Sequence, residues 1–260
     1  SAVSASSMAR MRSGRSGWPV GMTWLSKFCW LTSNVLKPVP SPLSGFLDGR
    51  DWPCQTAAVT IHPPTEPNIE RFAAALRAGG IVAFATETVY GLGADATNSD
   101  AVLRIYETKG RPRFNPLIVH VADLEMARTL ADFSPLAEKL ARFWPGPLTL
   151  VLPRRAAAGL SDIVTAGLDT VAVRVPAHEL ARRLVAAAGR PLAAPSANPS
   201  GKLSPTTAEQ VDRAFQGGVE VLEGGPSLAG VESTILAVEG DRVVQLRAGA
   251  LPREEIEAAI

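Results

Sequence analysis

Gly80-Ile81-Val82-Ala83-Phe84-Ala85 is a continuous apolar run, followed without a break by Thr86-Glu87-Thr88-Val89-Tyr90-Gly91-Leu92-Gly93. The first six residues have the length and composition of a buried strand. The next eight place hydroxyls, a carboxylate and two glycines at its end. Open α/β sheets take their ligands at strand ends, and glycine lets backbone approach a ligand closely. Taken alone, the same loop also fits a plain turn with a capping threonine.

Working outward, helices and strands alternate. Upstream, Asn68 is placed to cap a helix that puts Ile69, Phe72 and Leu76 on one face and ends at Gly79. Downstream, Ser99 opens a second helix through Val102, Ile105 and Tyr106 to Gly110, and Pro116–Val121 reads as the next strand. Ser134-Pro135 starts a helix that stops at Trp144-Pro145-Gly146-Pro147, with proline at its first position. Strands are expected at Leu148–Leu152, Val171–Val175 and Pro191–Ala194, with a helix over His178–Ala188. Thr206 and Glu209 have capping-box spacing for one more helix. Val219–Leu222, Ser233–Val238 and Val243–Leu246 end the pattern as strands, the last two joined by a Glu239-Gly240-Asp241 turn. The sum is one α/β domain over 57–260, a usual domain size.

Residues 1–56 differ. They hold four of the five tryptophans and both cysteines, Cys29 and Cys54, with no acidic residue before Asp48. No helical or alternating period persists, so the segment is expected to be disordered. A start-site artefact, an organelle transit peptide and a species-specific extension all fit it. The cytoplasm is the default location, with an organelle the alternative if this segment is a transit peptide. The whole chain has a formal net charge of +1 and is 46% hydrophobic, ordinary for a globular protein. Neither cysteine belongs to a metal-ligand spacing and the three histidines are scattered, so no protein metal site is expected. No apolar run reaches the roughly 20 residues needed to span a bilayer.

Four more polar loops carry chemistry. Lys109-Gly110-Arg111-Pro112-Arg113-Phe114-Asn115-Pro116 sets three cations in a stiff loop, and guanidinium forks match phosphate oxygens. Ala194-Pro195-Ser196-Ala197-Asn198-Pro199-Ser200-Gly201 offers Ser196 and Asn198 to a phosphate, ribose or base. Gly230-Val231-Glu232-Ser233-Thr234 leads into a strand, and Leu246-Arg247-Ala248-Gly249 follows the last one. No Walker loop, GxGxxG turn or nucleophile elbow is present. A bound nucleotide would therefore be held by side chains from several loops.

These segments, with Pro145-Gly146-Pro147-Leu148-Thr149, resemble the motifs of the YrdC-type family of threonylcarbamoyl-AMP synthases, in the family's order, from about residue 66 to residue 252. The resemblance implies a twisted, mostly parallel or mixed open sheet with flanking helices and a concave basic face. It implies a nucleotidyltransferase that makes threonylcarbamoyl-AMP and pyrophosphate from L-threonine, bicarbonate or carbon dioxide, and ATP, with Mg2+ on the ATP. A separate complex would then transfer the threonylcarbamoyl group to tRNA. Carried over by motif, Thr88, His120, Arg174 and Ser233 would hold threonine. Arg111, Asn115, Thr170, Ser196, Asn198, Thr206 and Arg247 would line the ATP side, with Lys109 and Arg111 the candidate catalytic cations. The chain resembles the family's single-domain form, or a two-domain form cut at its linker.

Two alternatives stand beside this. A non-catalytic module for double-stranded RNA or tRNA fits the Lys109–Arg113 cluster. Against it, residues 57–260 carry 20 basic and 23 acidic residues (26 less 6, and 25 less 2), a net of −3, whereas such binders usually show a stronger basic footprint. A carbamoyl-adenylating domain of the hydrogenase-maturation type is the other.

Overall fold

The computed structural model describes residues 60–260; the expected disorder of 1–56, and Cys29 and Cys54, lie outside the described residues. Ten strands among them form one sheet: β1 Ile61–His62, β2 Val82–Phe84, β3 Gly91–Asp95, β4 Ile118–His120, β5 Leu148–Pro153, β6 Thr170–Arg174, β7 Leu192–Ala193, β8 Val221–Leu222, β9 Thr234–Glu239 and β10 Arg242–Arg247. Their order is β1-β8-β2-β3-β7-β4-β6-β5-β9-β10. Pairings β1–β8, β8–β2, β4–β6 and β5–β9 are parallel. The other five are antiparallel. Of the two expected descriptions, mostly parallel or mixed, the sheet is mixed. The flanking helices are α1 Glu66–Arg77, α2 Ser99–Lys109, α3 Leu124–Leu130, α4 Pro135–Leu140, α5 Asp162–Thr165, α6 Glu179–Ala188, α7 Ala208–Phe215 and α8 Arg253–Glu257.

Side chains alternate across a strand, and here the alternation divides the molecule. Ala83, Leu92, Ala94, Val119, Leu148, Leu150, Val171, Val173, Leu236 and Val238 join one cluster with apolar residues of α2, α3, α4, α5 and α7. Their neighbours Val82, Phe84, Leu192 and Leu222 join a second cluster under α1 and α6. Among the described residues, that second cluster covers only the β8-β2-β7 part of its face. Further along the same face, beside the apolar Ala172, Val151 and Ile235, four alternate positions are polar: His120, Arg174, Thr149 and Ser233. All four are buried, and none belongs to either apolar cluster. One part of this sheet face is thus apolar and helix-covered, and another part carries a cluster of buried polar side chains.

Local chemistry explains where the expected elements shift. Gly91–Gly93, read above as loop, is the start of β3. A Cβ at Gly93 would lie 2.6 Å from the Phe84 ring, so glycine is what lets the ring cross this strand. Helix α1 begins after Thr65, which makes no side-chain cap bond, with a proline near its start, and Asn68 lies inside the helix and donates its side-chain amide to Pro63 O at 2.9 Å. Helix α7 is capped by Thr207, which accepts from Gln210 N; the Gln210 side chain takes the backbone N–H of Thr206 at 2.7 Å. The expected capping box is therefore one residue late. In the β9–β10 hairpin the turn falls at Gly240 as expected. The register slips by one residue between Gln245 and Arg247, a β-bulge that pairs Arg247 with Ile235.

Candidate active site

The site grows from the β4–β6 pair. His120 lies opposite Arg174, and Ile118 opposite Ala172. Thr170 opens β6, four residues from Arg174, or about 13 Å along a strand. Arg111 and Asn115 sit on the run-in to β4, at the end where Thr170 lies. The residues assigned above to threonine (His120, Arg174) thus mark one end of this strand pair, and three assigned to ATP mark the other.

Arg174 is 3% exposed. Its Nη2 meets Glu87 Oε1 at 2.5 Å and its Nε donates to Gly146 O at 3.2 Å. Glu87 Oε2 also accepts from His178 N at 3.4 Å. Burial pushes the Glu87 pKa up, but the charge and hydrogen bond of Arg174 and nearby backbone donors outweigh it, so the carboxyl lies below its ordinary value. Burial, then the charge of Arg174, lowers His120 to about 3; the imidazole is neutral near neutral pH. Its buried Nδ1 has no hydrogen-bond partner. Thr88 is fully buried, its hydroxyl 2.9 Å from that of Thr86.

A second arginine arrives from the hairpin. Arg247 pairs with Glu232, and donates to Ser233 O and Ser233 Oγ, both at 3.0 Å. Ser233 Oγ is 2.8 Å from Thr149 Oγ1. Ser204 Oγ donates to Glu232 Oε1 at 3.0 Å.

Lys109 closes the third side. It is 4% exposed, and its amine donates to the carbonyls of Ser196 and Asn198. Ser200 N returns a bond to Lys109 O at 2.7 Å. Lys109 therefore fixes the Ser196–Asn198 loop. Burial and then the neighbouring charge of Arg111 lower its pKa to about 7, partly opposed by Glu232. Asn198 spends its amide on Pro199 O and Lys202 O, leaving its buried Oδ1 without a partner. Arg111 donates to Pro116 O at 3.2 Å while its buried Nε has no partner. The Thr206 hydroxyl is bonded to Gln210 at 3.2 Å, and its carbonyl accepts from Ser227 N.

Thr88, Lys109, Arg111, His120, Arg174, Ser233 and Arg247 thus surround the polar part of the face. Glu87, Thr149 and Glu232 belong with them and were given no role above. Glu87 and Glu232 lie inside quoted motifs, but a motif does not say which arginine a glutamate will meet. Two arginines each held by a glutamate, two further cations and unpartnered donors and acceptors give this α/β domain a site whose chemistry suits anions.

Residues 74–249 match the family described as "Telomere recombination" (Sua5, YciO and YrdC), and the chain belongs to that family. The threonylcarbamoyl-AMP synthase of Bacillus subtilis (strain 168) is 53% identical over 75% of this chain and 57% of its own length. That of Pyrococcus abyssi (strain GE5 / Orsay) is 54% identical over 71% of this chain and 55% of its own. The crystal structure of P. abyssi Sua5 complexed with L-threonine superimposes with a TM-score of 0.74 at 51% identity, covering 77% of this chain and 60% of that one. The chain spans a little over half the length of these curated relatives.

Proposed function

We propose that this domain is an L-threonylcarbamoyladenylate synthase, a nucleotidyltransferase that joins L-threonine, bicarbonate-derived carbon dioxide and ATP into threonylcarbamoyl-AMP and pyrophosphate for tRNA modification. The observation that carries the proposal is the pair of glutamate-held arginines on one sheet face, flanked by serine and threonine hydroxyls. The reaction must bring together two anionic reactants, and the relatives' names and the threonine complex of P. abyssi Sua5 support assigning threonine to one of them.

In this proposal Arg174 grips the threonine carboxylate with its guanidinium fork. Thr88, Ser233 and the neutral His120 bond the rest of the amino acid. The threonine amine adds to carbon dioxide and loses a proton, forming a carbamate. A carbamate oxygen then bonds to the α-phosphorus of ATP as the bond from that phosphorus to the bridging oxygen breaks, and pyrophosphate leaves with the electron pair. Arg111 and Arg247 neutralise the charge that builds on the phosphates, while Asn115, Thr170, Ser196, Asn198 and Thr206 line the nucleotide side. Lys109 sets the loop that carries Ser196 and Asn198. Positioning and fixed charge supply most of the acceleration.

Magnesium enters with ATP as part of the substrate. In this proposal phosphate oxygens and water ligate it; among the described residues no group of three or more His, Cys, Asp or Glu could hold a metal ion. Transfer of the product to tRNA falls to a separate threonylcarbamoyl transferase complex. Among the described residues no helix is long and apolar enough to cross a membrane, and the cytoplasm is the proposed place of action.

The test is pyrophosphate release by the purified chain with MgATP and bicarbonate, with and without L-threonine. Release that needs both threonine and bicarbonate is expected. A folded, ATP-binding sample without threonine-dependent release would overturn the proposal.

A further inference from the structure

Glu232 has no role in that proposal, yet it sits among its cations. Its carboxylate pairs with Arg247. Its charge is also felt at Lys109, Arg111 and Arg174. The other carboxylate of the site, Glu87, is bound to buried Arg174 and held by a backbone N–H. Glu232 is differently mounted. Its backbone is fixed: its carbonyl accepts from Ala250 N at 3.0 Å, and a Cβ at Gly249 would come within 2.4 Å of it. Its side chain is 36% exposed, and Ser204 Oγ and Arg247 are its two polar partners. This is a carboxylate on a rigid base, lightly held, amid three arginines and a lysine. A partly exposed ion pair of this kind exchanges partners more readily than a buried one, and a multivalent anion can compete for its arginine.

We infer that Glu232 is an internal counter-anion that occupies the phosphate-binding cations when no polyphosphate is bound, and that incoming phosphate displaces it from Arg247. It is a positioning and specificity residue. It keeps the arginines ordered while the site is empty, weakens the hold on small phosphate anions, and re-enters to help expel pyrophosphate after the reaction. The inference rests on the phosphate-binding half of the proposed function.

The probe is inorganic pyrophosphate, whose affinity is measured by calorimetry without turnover. Glu232→Gln is expected to lower its dissociation constant about tenfold. Glu239→Gln removes the same charge from the exposed end of β9 and is expected to leave affinity unchanged. Ser204→Ala, which frees the Glu232 side chain, should tighten binding about twofold and carries the test if Glu232→Gln does not fold. In the full reaction, Glu232→Gln should lower both KM for ATP and kcat, as slower pyrophosphate release requires. Unchanged or weaker pyrophosphate binding by Glu232→Gln, equal tightening by Glu239→Gln, or no binding to either protein would overturn the inference. Because pyrophosphate affinity is read without threonine, a failure of the threonine-dependent reaction would leave this result standing and sink only the activity.

Discussion

The Glu87–Arg174 and Glu232–Arg247 pairs have the same chemistry and opposite settings. In the first, the side chains are 14% and 4% exposed, and the arginine rises from a central strand of the sheet. In the second they are 36% and 25% exposed, and the arginine comes from the edge hairpin. Burial makes an ion pair costly to break while contributing little net stability; exposure makes it cheap to break. The deep pair is therefore suited to hold one geometry and the outer pair to exchange partners.

Arg174→Ala should test the contrast most severely. It strands the Glu87 carboxylate in a buried site and should cost about 3–5 kcal/mol of unfolding free energy in urea titrations, along with threonine-dependent turnover. Replacing both partners, Glu87→Gln with Arg174→Met, should recover most of that stability and none of the turnover. A loss below about 1 kcal/mol for Arg174→Ala would erase the distinction between the two pairs.

Acid should attack the deep region first. His120 has its folded pKa lowered to about 3 from 6.5, so between those values the unfolded chain binds a proton that the folded one does not. Stability therefore falls as pH drops from about 6.5 toward 3. Glu87, also lowered, contributes stability that is present above 4.5 and lost as pH falls through its folded value. Urea titrations at about pH 4 and about pH 7 should show this loss, and His120→Asn should flatten its upper part.

The outer pair should respond in binding before stability. Arg247→Ala is expected to cost about 1 kcal/mol or less in stability and to weaken MgATP binding about tenfold, as for the loss of a charged hydrogen-bond partner. The smallest effect expected is on the stability of Glu232→Gln, within about 0.5 kcal/mol of the parent by the same urea measurement. A larger loss there would make the outer pair structural.

Most of the alternating pattern was legible because apolar runs such as Val82–Ala85 are buried whichever way the sheet is ordered. Strand β3 was not, because Gly91 and Gly93 have turn-like composition; the Phe84 ring explains Gly93, whereas a Cβ at Gly91 would meet only ordinary contacts. Helices α3, α5 and α8 are four to seven residues long, too short for a helical period to stand out. The site loops were legible as polar interruptions at strand ends. Which partner each cation holds was not: Lys109 reads as a free phosphate ligand until Ser196 and Asn198, nearly ninety residues away, are seen accepting from it.

The bulge in the outer hairpin has a consequence of parity. Ser233 and Ile235 share the polar face, whereas Leu236 and Val238 point into the first core. Counting back from Gln245 opposite Leu236, an unbroken register would set Arg247 opposite Thr234, on the core side. The one additional residue moves it opposite Ile235 instead, where its guanidinium reaches Ser233 Oγ. Whether this arginine faces ligand or core is thus settled by one additional residue along one edge strand: with Leu246 kept but drawn into an unbroken ladder, Arg247 would fall opposite Thr234 and turn inward, while every residue of the polar face stayed in place.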